Sequence, residues 1–274
     1  MILSFGSAGA AQALALVLAA VSVLAYASAA LAVRSDRALP ARAWQLGWLT
    51  HAAGLVIAFL ALDVPGAHGA RFGFAPVLSV TVWLVLTVHA IESRFVPLPQ
   101  VRRVLALVGA IAVGLAAAFP GEPHAAATSA LAPLHWMLGV ASYGLFGAAV
   151  LHASLLDSAD RQLKRKAGAG VGPGGLPLLK LERLTFRFVD AGFVVLSATL
   201  LLGMWTAARW RWDHKTVFSL LGWAVFAALV AGRHLQGWRG RRATRWVYAG
   251  ALLLLLAYIG SRFVLEVLLH RPAA

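Results

Sequence analysis

An all-α fold, a polytopic membrane bundle of about eight transmembrane helices, is what this sequence predicts, and three observations predict it. Of its 274 residues, 61% are apolar and only 12% are charged, with a mean hydropathy of +0.79. Apolar runs of about 18 to 25 residues recur along the whole chain, the length a helix needs to cross hydrocarbon. Basic residues collect in alternate loops, as they do when cytoplasmic loops retain positive charge.

Taken in order, the spans are Ala10–Val33, Trp44–Leu62, Phe74–Ile91, Val104–Phe119, Pro133–Leu156, Phe188–Ala208, Val217–Ala231 and Val247–Leu265. No basic residue precedes the first run, and no clean cleavage site leads from it into a polar region. It therefore reads as a retained helix rather than a removable signal. Low-complexity sequence is confined to the flexible stretch from Ala167 to Gly175, AGAGVGPGG. With no internal repeat, residues 1–274 read as a single transmembrane domain.

The net charge of +14 invites a nucleic-acid reading, but the placement of the charges opposes it. Eighteen of the 24 Lys and Arg lie in four loops, around Arg34–Arg42, Arg94–Arg103, Arg161–Arg187 and Arg233–Arg245. The remaining six, Arg71, Arg209, Arg211, Lys215, Arg262 and Arg271, lie in the alternate set. The four rich loops are then cytoplasmic, both termini face outward, and the partner is membrane lipid rather than nucleic acid. The absence of cysteine excludes disulfides, thiolate metal sites and a CxxC relay.

Nine histidines sort by depth. His51, His89, His152 and His234 belong to the cytoplasmic side, whereas His68, His124, His135, His214 and His270 lie at or near the outer surface. His135 and His152 are 17 residues apart, about 25 Å along one helix, so a single haem could not bridge them. A polar side chain in hydrocarbon points by default to function, and the plainer alternative is one interhelical hydrogen bond. His68, His124 and His152 fit that alternative best. Asp190 and the Arg262–Glu266 pair offer only a weak proton path.

The segment Gly203–Lys215, GMWTAARWRWDHK, concentrates Trp205, Trp210 and Trp212 with Arg209, Arg211, Asp213, His214 and Lys215. Interfacial tryptophans alone make an aromatic belt. A belt has no use for clustered mixed charge, whereas a flat, apolar, anionic ligand does, and haem is the obvious one. Tryptophans would cover its macrocycle and cations would meet its propionates.

These residues carry a resemblance. The region Leu181–Trp223 has a Leu-x-x-Leu-x-x-Arg entry, the Gly192-Phe193 pair, the Gly203–Trp205 turn and a Trp-x-Trp-Asp-x-Lys core; GRHLQGWRGRRATRW follows it and LHWMLGVASYGLF precedes it. Residues 133–270 resemble the cytochrome c assembly family of haem-handling membrane proteins. The tryptophan segment is shorter than the family's, with His214 in place of a proline and Thr216 in place of a glutamate. The chain is thus similar to the small members of the family.

The resemblance implies a multi-pass protein of the bacterial inner (cytoplasmic) membrane that holds or presents b-type haem at its outer face, with other cytochrome c assembly proteins as partners. It implies an assembly factor rather than an enzyme. His135 and His270 match the outer histidines flanking the tryptophan segment. His234 matches the intramembrane histidine, with His51 as its partner and His89 as second choice. Trp205, Trp210, Trp212, Asp213, Arg209 and Arg211 complete the expected binding set. Two other classes stay in view: a permease for small anions, disfavoured by the lack of matched helix breaks, and a membrane scaffold for haem biosynthesis docking through Arg161–Arg187.

Overall fold

A computed structural model describes residues 7–32, 38–60, 71–95, 98–123, 131–165, 178–206 and 212–269. Eight long helices account for the apolar runs: α1 (Ser7–Leu31), α2 (Ala38–Phe59), α3 (Phe74–Glu92), α4 (Pro99–Ala118), α5 (Leu131–Arg165), α6 (Leu178–Thr206), α7 (His214–Gln236) and α8 (Gly240–Leu255). Beyond Leu255 the last helix continues in two wide π-helical segments, Leu256–Gly260 and Val264–Leu268, on either side of Ser261–Phe263.

Among the described residues, seven helices are long and apolar enough to cross a membrane, and α2 is the one of the eight outside that set. Its sequence explains why, since Gln45, Trp48, Thr50 and His51 interrupt the apolar run. Trp48, Thr50 and His51 are bonded to neighbouring helices instead. Thr50 Oγ1 lies 2.7 Å from Ser22 Oγ, Trp48 Nε1 donates to Thr87 Oγ1 at 3.0 Å, and Trp83 Nε1 donates to the Trp48 carbonyl at 3.2 Å.

The chain forms two compact units. One comprises Met1–His89, Pro99–Thr128 and Arg262–Ala274; the other comprises Ala90–Leu98 and Ser129–Ser261. In the first, Tyr26 of α1 is fully buried, and a Cβ on Gly47 or Gly109 would meet its ring at 2.8 or 3.0 Å. Glycine at both positions lets α2 and α4 close on that ring. The short strands β1 (Arg71–Phe72) and β2 (Glu122–Pro123) pair antiparallel. Gly121 makes that pairing possible, with φ of 72° and a Cβ position only 2.5 Å from the Phe72 carbonyl oxygen. From the far end of the chain, Glu266 Oε2 accepts a hydrogen bond from the Phe74 backbone at 3.4 Å, satisfying a donor at the start of α3.

In the second unit, α5 to α8 make an up-down-up-down bundle. Its antiparallel order follows from the pairings: His135 of α5 with Thr199 of α6, Trp223 of α7 with Ser197 of α6, Gly222 and Gly250 with Leu254 and Phe226 across α7 and α8, and Asp157 of α5 with Thr244 and Tyr248 of α8. At its centre Phe146 and Phe226 stack with centroids 3.8 Å apart. Gly192 and Gly250 lie against those two rings.

Asp213 begins α7 as an N-cap in extended conformation, accepting from the Thr216 backbone at 2.8 Å. Replacing it by alanine is expected to destabilise the start of α7 by about 1 kcal/mol, seen as faster amide exchange at Thr216. Asn at 213 keeps the cap, so Asp213→Asn should leave that exchange nearly unchanged.

Candidate functional site

The up-down order places four helix ends together at one end of the second unit: the start of α5 with His135, the end of α6 with Gly203 and Trp205, the start of α7 with Asp213 and Lys215, and the extension of α8 with Tyr258. His135 projects from the first turns of α5 onto α6. Its Nδ1 lies 3.0 Å from the Thr199 carbonyl oxygen, and a Cβ on Gly203 would sit 2.8 Å from its Cε1. Only glycine at 203 lets the imidazole lie so close to α6.

That contact sets the chemistry of the ring. A carbonyl oxygen only accepts, so Nδ1 of His135 carries the hydrogen and Nε2 keeps its lone pair. This is the neutral tautomer, with an outer partner holding the ring, that iron ligation needs. Lys215 lies within electrostatic reach of His135, and its Nζ is 5.5 Å from the centroid of the Tyr258 ring. Trp205 and Trp212 expose 84% and 73% of their surfaces. An imidazole with a free lone pair, a nearby cation and two uncovered indoles fit a haem's iron, propionate and macrocycle. Asp213 is committed to capping α7.

The opposite end of the same unit holds the GRHLQGWRGRR turn. Gly237 adopts φ of 66°, returning its N–H to the Arg233 carbonyl, and Trp238 N–H bonds the Gly232 carbonyl at 3.2 Å. A Cβ on Gly232 would lie 2.5 Å from the Trp238 ring. Arg242 sits 4.1 Å above the same ring, and Arg233 sits 3.4 Å above Phe186. The motif therefore builds a packed turn, and His234 stands exposed on the last turn of α7 beside it.

Elsewhere, His152 is buried with both ring nitrogens engaged, Nδ1 at 2.8 Å from the Ala148 carbonyl and Nε2 at 3.0 Å from Glu92 Oε1. In the first unit His51 is buried as well, with Nε2 at 2.8 Å from Ser79 Oγ and Nδ1 at 3.4 Å from Tyr26 Oη. Binding iron there would require His51 to give up one of those bonds. His89, also buried, meets the Trp44 ring edge-on at 6.3 Å. Arg209, Trp210, Arg211 and His270, together with His68 and His124, lie outside the described residues.

The structure thus brings His135, Trp205, Trp212, Asp213 and Lys215 to one end of one unit and puts His234 at the other end. Motif reading did not single out Thr199, and it gave Gly203 only as the start of the tryptophan segment's turn. No residue type marks a carbonyl as a histidine anchor. Gly203 lies inside the tryptophan segment, and only its closeness to His135 gives it a role.

The family described as cytochrome C assembly protein matches residues 73–269. The inner membrane protein YpjD of Escherichia coli (strain K12) is 31% identical over 223 residues, covering 80% of this chain and 83% of that protein. The cytochrome c biogenesis protein CcsA of Prochlorococcus marinus is 24% identical over 224 residues, covering 68% and 70%. No solved structure matches. With nearly three quarters of its length inside the family's bounds, this chain belongs to the cytochrome c assembly protein family.

Proposed function

We propose that this protein is a multi-pass inner-membrane, haem-handling factor that supports cytochrome c assembly by holding or presenting haem at the outer face. The observation that carries the reading is the His135 imidazole, fixed by the Thr199 carbonyl against Gly203 with its Nε2 lone pair uncommitted. Charge sorting supports the orientation, because the His135 end lies opposite the strongly basic end of the bundle.

Haem would supply an iron able to take imidazole nitrogen and a flat apolar ring with two carboxylates. His135 would ligate the iron through Nε2. Trp205, Trp210 and Trp212 would cover the ring, while Lys215, Arg209 and Arg211 would meet the propionates. His234 is the proposed inner ligand. Other cytochrome c assembly proteins are the proposed partners, and the protein's part is to position haem rather than to turn over a substrate.

Protein purified from haem-replete cells is expected to show the visible spectrum of b-type haem. His135→Ala should lose most of the outer-site absorbance and His234→Ala the inner. A colourless wild type would sink the reading, and haem-independent anion uptake into proteoliposomes would favour a permease.

A further inference from the structure

The charges of α6 are sorted by face near its start. Glu182 and Asp190 turn inward: Glu182 Oε1 lies 3.9 Å from Arg239 Nε, and Arg233 of α7 interacts electrostatically with both acids while lying on Phe186. Lys180, Arg183 and Arg187, spaced three and four residues apart, are exposed. They share one face, since residues at i, i+3 and i+7 of a helix lie above one another. None of the three makes an ion pair with a described residue.

Between them the same face is apolar. Leu179, 70% exposed, and the half-buried Leu184 line an open groove of about 400 Å³ with the three cations. Like charges at these spacings repel along a helix, so the face is best satisfied when an anion lies across it. The leucines ask in addition for hydrocarbon. One molecule class supplies both, and it is abundant where a membrane-spanning helix meets the bilayer surface.

We propose that Lys180, Arg183 and Arg187 form a binding site for an anionic phospholipid, whose phosphodiester lies across the three cations while an acyl chain runs from Leu184 toward the apolar run of α6. The site is remote from His135, at the other end of the bundle, and does not depend on haem. It fixes the depth of α6 in the leaflet through a headgroup contact.

The test uses the full chain in nanodiscs, with native mass spectrometry reading bound lipid after mild activation. Wild type is expected to retain phosphatidylglycerol over phosphatidylcholine. Each cation near an anionic surface contributes a factor of about five, so the K180Q/R183Q/R187Q variant should lose that preference on the order of a hundredfold. R241Q, which removes an exposed cation that lies 3.3 Å from Asp160, should retain it. A triple variant with wild-type preference overturns the proposal, as does displacement of the retained species by inorganic phosphate, which would mark a soluble-anion site. Equal loss in R241Q overturns it too, because the effect would then be general surface charge. Unchanged helical circular dichroism in the triple variant separates lost binding from lost fold.

Discussion

Gly203→Val is expected to lower haem affinity on the order of ten- to a hundredfold while the protein still folds. A side chain at 203 begins where the His135 ring now lies, 2.8 Å from Cε1, so the imidazole must swing off α6 and break its bond to the Thr199 carbonyl. Released, the ring can protonate at either nitrogen and sample several rotamers, and the ligating tautomer is no longer preset. Haem titration of detergent-solubilised protein, read at the Soret band, measures the loss. His135→Ala sets the floor, and Gly203→Ala should fall between. Should Gly203→Val bind haem as wild type does, His135 is not the outer ligand.

Phe226→Ala should be the most destabilising single change in the second unit, by about 3 kcal/mol. The ring is fully buried, stacked on Phe146, and pressed against Gly250, where a Cβ would come within 2.7 Å. In lipid the transfer part of such a loss shrinks, because the displaced side chain finds hydrocarbon elsewhere, but lost packing remains. Since α7 and α5 meet through this stack, the damage should spread to both ends of the bundle. Thermal unfolding in detergent, followed by circular dichroism, would show it. Phe226→Leu, which refills most of the space, should recover more than half of the loss.

The helices themselves were legible in the sequence, because hydrocarbon demands long apolar runs and nothing else in the chain imitates them. Their ends were less so. Apolarity reports the part of a helix that sits in lipid, whereas helices run on wherever polar groups find partners. Thus α5 continues from Leu156 to Arg165 because Asp157 bonds Thr244 and Tyr248 and Asp160 pairs with Arg241. Likewise α6 starts at Leu178, ten residues before the apolar run, with its acids facing Arg239 and Arg233.

The candidate site was legible as residue types, not as neighbours. His135 and the tryptophans could be picked out, yet the contact that sets the imidazole tautomer comes from a backbone carbonyl 64 residues away, which no side-chain pattern encodes. The Gly-Trp-Arg-Gly motif shows the converse. It drew attention to His234, while the structure gives its glycines and tryptophan the work of turning the chain between α7 and α8.

Glu266 bonds the start of α3 across 192 residues of sequence, and that fixes an order of events during synthesis. At about 5 to 20 residues per second, roughly 10 to 40 s pass between the emergence of Phe74 and that of its partner. The second unit is almost continuous in sequence and can assemble during that interval, whereas the first draws on the Glu266 segment and cannot be completed until that segment has emerged. The helices of the first unit therefore wait in the bilayer until the Glu266 segment reaches the start of α3.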